Sequence, residues 1–199
     1  EAILDEARFA AKKNLPPLKT IYFGGGTPSM LSPTHLRRLF TGLRTILDFS
    51  AVEEVTLEAN PATFTSRTAH LYEELGVTRV SLGVQSFIGK HLKTLGREHS
   101  PMQAITSVHL LREASNLEVS IDLIFSVPSQ SLLDWEDTLT QALALQPDHL
   151  SAYNLTYEED TAFFEKFQTG AFQDDSNLNA EMFSLGEELL SSAGYEHYE

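Results

Sequence analysis

The sequence predicts an α/β fold: a parallel sheet with helices outside it, wound as part of a barrel. Three observations predict it. Five short apolar runs, at residues 20–23, 54–58, 79–84, 118–125 and 149–155, alternate with amphipathic segments. Each run is rich in Val, Ile, Leu, Phe and Tyr and bounded by turn residues, as strands of a helix-covered parallel sheet require. No repeat recurs at a fixed short period, which excludes a solenoid. An eight-unit barrel takes about 250 residues, so five strands in 199 residues give part of a barrel or a smaller open one.

The elements follow in order. Residues 1–14 read as a helix that no strand precedes. After the run at 20–23, Ser32 can N-cap a helix with Pro33 at its first position, and Leu36, Leu39, Phe40, Leu43, Ile46 and Leu47 form its apolar stripe. After the run at 54–58, Thr65 starts a helix that stops at Gly76, the residue type suited to a left-handed C-terminal turn. Ser100-Pro101 repeats the capping device before Ala104, Ile105, Val108 and Leu111. The segment from Ser131 carries Leu132, Trp135, Leu139, Ala142 and Leu143 and ends before Pro147. A last amphipathic stretch covers residues 177–193 and stops at Gly194. No linker or low-complexity tract interrupts the series, so one domain is expected over residues 1–199.

Composition narrows the function. The chain has 28 Asp and Glu against 14 Lys and Arg, a net charge of −14, with 42% hydrophobic residues. That apolar content builds a core, and the acidic balance argues against nucleic acid and anionic membrane surfaces. The absence of cysteine excludes disulfides, thiolate nucleophiles and any Cys-ligated zinc or iron–sulfur cluster made by this chain alone. No apolar run approaches the roughly 20 residues of a transmembrane helix. The first residues lack the pattern of a signal peptide, and a cytoplasmic protein is expected.

In parallel α/β folds ligands sit at the carboxyl ends of the strands. Those ends carry Gly24-Gly25-Gly26-Thr27-Pro28, Glu58-Ala59-Asn60-Pro61, Gly83-Val84-Gln85-Ser86 and Tyr153-Asn154-Leu155-Thr156. Asp122 interrupts the fourth apolar run, and Arg97 follows a helix in Leu95-Gly96-Arg97-Glu98-His99-Ser100. Each has a plain structural reading. The glycines fit a tight turn as well as a ligand cradle, and they lack the Lys of a P-loop and the spacing of a dinucleotide fingerprint. Glu58 fits a solvated strand end, and Gln85 a turn. A carboxylate within an apolar strand, by contrast, costs several kcal/mol unless something pairs with it, which gives Asp122 a functional or paired role. Placed at one rim, Glu, Gln, Asp, Arg and bare Gly backbone suit a small ligand bearing a carboxylate, an ammonium and hydroxyls.

Taken jointly, Gly24-Gly25-Gly26-Thr27-Pro28-Ser29, Leu57-Glu58-Ala59-Asn60-Pro61, Arg79-Val80-Ser81-Leu82-Gly83-Val84-Gln85-Ser86, Leu95-Gly96-Arg97-Glu98-His99-Ser100, Ile121-Asp122-Leu123-Ile124 and Asp148-His149-Leu150-Ser151-Ala152-Tyr153 form a specific series. It resembles the radical SAM proteins related to oxygen-independent coproporphyrinogen III oxidase, over nearly the whole chain. The resemblance implies a partial (β/α)6 barrel whose first strand is missing here, with S-adenosylmethionine across the strand ends. Gly25, Gly26 and Thr27 would meet its methionine end, Glu58 and Gln85 its ribose hydroxyls or neighbouring polar groups, and Arg97 its carboxylate. Asp122 would lie near the ribose or against Arg97, and Thr156 near the adenine. The family's chemistry starts when a [4Fe–4S] cluster on a C-x-x-x-C-x-x-C motif reduces the sulfonium to give a 5′-deoxyadenosyl radical. That motif would lie upstream of Glu1. The expectation is a fragment truncated at both ends, inactive alone in radical chemistry, rather than a natural relative without cysteine.

Two branches of that family differ in function. One decarboxylates coproporphyrinogen propionates; the other, the HemW-type branch, is a haem chaperone for client proteins. Glu58-Ala59-Asn60-Pro61-Ala62 and the closing Gly194-Tyr195-Glu196-His197-Tyr198-Glu199 resemble the chaperone branch. Implied partners are S-adenosylmethionine, haem or a porphyrinogen, an electron donor and haem-receiving clients. A non-radical barrel lyase or isomerase using Asp122 and Glu58 as acid and base is the alternative outside the family. Among the histidines, His35, His70, His91 and His109 are expected in solvent. His99 and His149 are expected in capping or core roles, with a haem or substrate contact as the alternative.

Overall fold

The structure is a computed structural model that describes residues 1–13, 16–172 and 174–198. Asn14 and Glu199, the last residues of the first helical segment and of the closing aromatic stretch, lie outside the described residues. All five expected strands form: β1 (Thr20–Phe23), β2 (Glu54–Ala59), β3 (Arg79–Gln85), β4 (Glu118–Phe125) and β5 (His149–Asn154). They hydrogen-bond in the order β1-β2-β3-β4-β5, and β1–β2, β2–β3 and β4–β5 pair in parallel. Strand order that follows the sequence without a reversal is barrel-type winding, whereas a doubly wound sheet reverses at a switch point.

The helices are α1 (Ala2–Ala11), α2 (Pro33–Ile46), α3 (Ser66–Glu74), α4 (Gly89–Thr94), α5 (Pro101–Ala114), α6 (Leu132–Ala144), α7 (Ala162–Gln168) and α8 (Ser176–Ser192), with a 3₁₀ turn at Pro28–Met30. The caps read from the sequence operate. Ser32, Thr65 and Ser131 each accept a backbone N–H of the first turn, and Ser131 with Asp134 completes a capping box. Ser100 and Gln103 exchange the same reciprocal bonds at the start of α5. The 3₁₀ turn and α7 are additions to the sequence expectation, and α4 is the helix expected before Arg97. None is longer than seven residues, too short to show an apolar stripe.

By contact the chain divides into two compact units, Glu1–Leu82 with His109–Val119 and Gly83–Val108 with Ser120–Glu199. In the first, Ile21↔Val55, Phe23↔Leu57, Leu57↔Val80 and Ala59↔Leu82 align on one face of the sheet. Tyr22↔Thr56, Thr56↔Arg79 and Glu58↔Ser81 align on the other, as the two-residue period of a strand requires. Val55, Leu57, Ala59, Val80 and Leu82 are all buried, and the Phe23 and Phe40 rings stack at 4.4 Å. The runs that read as continuously apolar therefore carry one apolar and one polar face. Helix α1 packs on α2 at Gly42, where a Cβ would come within 2.7 Å of Leu4.

The second unit repeats the division. Ile121↔Leu150 and Leu123↔Ala152 share one face, and Ser120↔His149 and Asp122↔Ser151 the other. Its core centres on Trp135, 1% exposed, which packs against Phe125 and donates its indole N–H to the Met182 carbonyl at 2.8 Å. That bond fastens α6 to α8.

Candidate functional site

In the first unit, β1 runs out into Gly24-Gly25-Gly26. A Cβ on Gly24 would lie 2.9 Å from the Tyr22 ring and 3.0 Å from a Glu58 oxygen, so that glycine lets the Glu58 carboxylate pack onto the chain. Gly25 has φ +104°, and a Cβ on Gly25 or Gly26 would meet nothing within 4 Å. The backbone of Gly25 and Gly26 is exposed with open space before it.

Glu58 sits on the polar face of β2, half-buried. Its Oε1 accepts the Tyr22 hydroxyl at 2.9 Å, and its Oε2 has no partner among the described residues. Beyond it, three contacts tie the loop after β2 to the glycine loop and a fourth closes the former on itself. The Ser29 and Thr63 hydroxyls meet at 2.6 Å, and Ser29 Oγ accepts the Asn60 backbone N–H at 3.3 Å. The Asn60 side-chain amide donates to Thr27 Oγ1 at 3.2 Å, and the Thr63 hydroxyl donates to the Asn60 carbonyl at 2.7 Å. Ser29, only 3% exposed, anchors this network. From sequence, Asn60-Pro61 signals a turn but not which loop its side chain holds.

In the second unit, β3 ends on Gln85, which has φ +67° although it is not glycine. The Ser86 N–H bonds the Val84 carbonyl at 2.8 Å across it, closing a γ-turn. Such a conformation costs about 1–3 kcal/mol and persists where surroundings enforce it. The Gln85 side chain is buried, and its amide has no hydrogen-bond partner among the described residues.

Arg97 is delivered by the end of α4. The Arg97 N–H reaches the Leu92 carbonyl at 2.9 Å and the Gly96 N–H reaches that of Lys93 at 3.1 Å, with Gly96 at φ +67°. This is the Schellman closure, which fixes where the chain leaves the helix. Arg97 Nε is buried without a hydrogen-bond partner, and the guanidinium has no ion pair among the described residues. Burial pushes its pKa down. His99 braces the loop, its Nε2 donating to the Val84 carbonyl at 3.1 Å. Burial first, and then the Arg97 charge, hold this imidazole below its ordinary pKa, against the pull of the Val84 bond. His99 thus has a core role.

Asp122 is half-buried on the polar face of β4 and engaged in an interaction there. Thr156 lies beyond β5, exposed, and donates to Glu158 Oε1 at 3.1 Å. The expectation that His91 is solvated is corrected: it is 1% exposed, with Nε2 3.4 Å from Asp134 Oδ2. The six-residue helix α4 seats it beside the start of α6, and burial lowers its pKa. His35, His70 and His109 are exposed as expected. A cleft of about 880 Å³ lies between β5, α8 and the residues after α8 and contains none of the expected site residues. His149 lines it, held between the Ser120 hydroxyl at 2.9 Å and the Tyr198 hydroxyl at 2.5 Å. Among the described residues no helix is long and apolar enough to cross a membrane.

The first unit thus holds open glycine backbone and a carboxylate with one oxygen unengaged, and the second a buried arginine Nε without a partner among the described residues. Comparison with known proteins defines the class. The profile of the Radical SAM superfamily matches residues 1–142, and the chain belongs to that superfamily. It is 41% identical over 182 residues to the Heme chaperone HemW of Escherichia coli (strain K12), covering 92% of this chain and 47% of that protein. It is 37% identical over 183 residues to the Heme chaperone HemW of Lactococcus lactis subsp. lactis, covering 92% and 48%. The chain thus spans about half the length of the curated relatives it matches. The structure of coproporphyrinogen III oxidase (HemN) from Escherichia coli, a radical SAM enzyme, superposes with a TM-score of 0.83 at 24% identity, over 97% of this chain and 45% of that one. The fold is therefore that of a radical SAM enzyme.

Membership implies S-adenosylmethionine and a [4Fe–4S] cluster. For S-adenosylmethionine each unit holds groups of suitable chemistry: open Gly25–Gly26 backbone in the first and the orphaned Arg97 Nε in the second. The residues present do not fit the cluster. The 199 residues include no cysteine, and no group of three His, Asp or Glu among the described residues could hold a metal.

Proposed function

We propose that this chain is the S-adenosylmethionine-binding part of a cytoplasmic HemW-type haem chaperone, which carries haem to client proteins. The observation behind this reading is the identity to heme chaperones of several bacteria, 35–41% over more than nine-tenths of the chain. Gly25 and Gly26 admit the methionine end of the cofactor, their carbonyls accepting from its ammonium, with Thr27 beside them. Glu58, with Oε1 held by Tyr22, offers Oε2 to a ribose hydroxyl. Gln85 supplies its amide to the same sugar or its neighbours, and Arg97 pairs with the methionine carboxylate. A charge-assisted contact of that kind contributes about 1.5–3 kcal/mol. Asp122 and Thr156 complete the set near the ribose and the adenine.

Haem titration of the full-length protein, followed by the Soret band, tests the function. Saturable binding is expected, with no conversion of coproporphyrinogen under anaerobic reducing conditions. Robust decarboxylation would place the protein among the oxidases instead.

A further inference from the structure

We propose that Asn60 is a positioning residue that makes Thr27 a hydrogen-bond donor to the methionine carboxylate of S-adenosylmethionine; this rests on the cofactor reading above. The geometry is local to one unit. Asn60 Nδ2 donates to Thr27 Oγ1 at 3.2 Å. A hydroxyl that accepts there keeps its own proton for another acceptor, and the Thr27 side chain has no other partner among the described residues. Thr27 directly follows the open Gly25–Gly26 backbone, so the acceptor it lacks is one that a ligand beside that backbone supplies. In a zwitterionic amino acid the acceptor is the carboxylate.

The Asn60 backbone that presents this amide is held on both sides. Its backbone N–H is held by Ser29, itself 3% exposed, and its carbonyl by Thr63. The Ser29–Thr63 contact at 2.6 Å closes the loop pair. The backbone that carries the orienting amide is thus set by a part-buried hydroxyl network rather than by the ligand.

The test measures dissociation constants of two probes, S-adenosylmethionine and 5′-methylthioadenosine, on the reconstituted full-length protein. The second probe keeps the adenosine and lacks the amino-acid end. Asn60→Asp preserves the shape and both backbone contacts but replaces the donor by a charged acceptor. It is expected to weaken S-adenosylmethionine about tenfold or more and to leave 5′-methylthioadenosine within about twofold. Thr27→Val, a conservative change on the half-buried loop, is expected to reproduce the selective loss. Asn60→Ala should add nothing in that background, as coupled residues behave. Equal losses for both probes, or no loss, would overturn the proposal. If the unmodified protein binds neither probe, the cofactor reading itself fails and the proposal with it.

Discussion

Two arginines of this chain meet opposite circumstances. Arg79, at the start of β3, is fully employed: it bridges Glu54 at 2.9 Å and Glu118 at 2.8 Å. Arg97, at the Schellman end of α4, is buried at Nε with no partner among the described residues. In a chain with twice as many acidic as basic residues, an unpaired guanidinium is not for want of carboxylates. Burying it costs solvation that the fold does not recover. A group kept in that condition is poised for an anion from outside. The amino end of β3 is held within the fold, and the loop after α4 is where we propose that an anion binds.

The sharpest way to break this contrast is to exchange the roles by mutation. Arg97→Ala is expected to weaken S-adenosylmethionine about 10- to 100-fold, the range of a charge-assisted contact, while stability holds or rises. Equilibrium dialysis and thermal melts read both. Arg79→Ala should do the reverse, lowering stability by about 1 kcal/mol, because its partners are partly exposed and screened, and leaving affinity unchanged. Gln85→Gly sits between these. Relief of the positive φ offsets the lost buried side chain, so stability should stay within about 1 kcal/mol, yet affinity should fall about tenfold. A stability loss matching the affinity loss would make Gln85 merely structural.

The smallest effect is on proton binding. Burial holds His99 below its ordinary pKa of 6.5, and the Arg97 charge adds to this. With a lowered folded pKa, the unfolded chain binds more protons as pH drops below 6.5. Stability therefore falls through that range and levels off beneath the folded value. Arg97→Ala removes the charge, so the His99 imidazole should titrate higher by NMR and acidification should destabilise less. Arg79→Ala should shift neither.

Much of the fold was legible because it rests on patterns a sequence carries. Each strand lies within two residues of its apolar run, and Ser32-Pro33, Thr65, Ser131 and Gly76 mark helix ends through chemistry that acts locally. The two-faced nature of the strands was less visible: Thr56, Ser81 and Ser120 are polar yet almost fully buried. A helix before Arg97 was readable, but the six residues of α4 make less than two turns, too few to show which face is apolar, so the burial of His91 was not. At the site, the residue types at the strand ends were readable. What was not is geometry: the positive φ of Gln85, which no glycine flags, and the Asn60 network, which joins residues 31 to 34 positions apart.

The central claim is that Arg97 waits for the carboxylate of S-adenosylmethionine. Isothermal titration of S-adenosylmethionine and of its decarboxylated analogue into the unmodified protein and Arg97→Ala tests it most directly. The account predicts that the unmodified protein prefers S-adenosylmethionine and that Arg97→Ala loses this preference, binding both ligands equally weakly. An unchanged preference in Arg97→Ala, or no binding of S-adenosylmethionine by the unmodified protein, would contradict it.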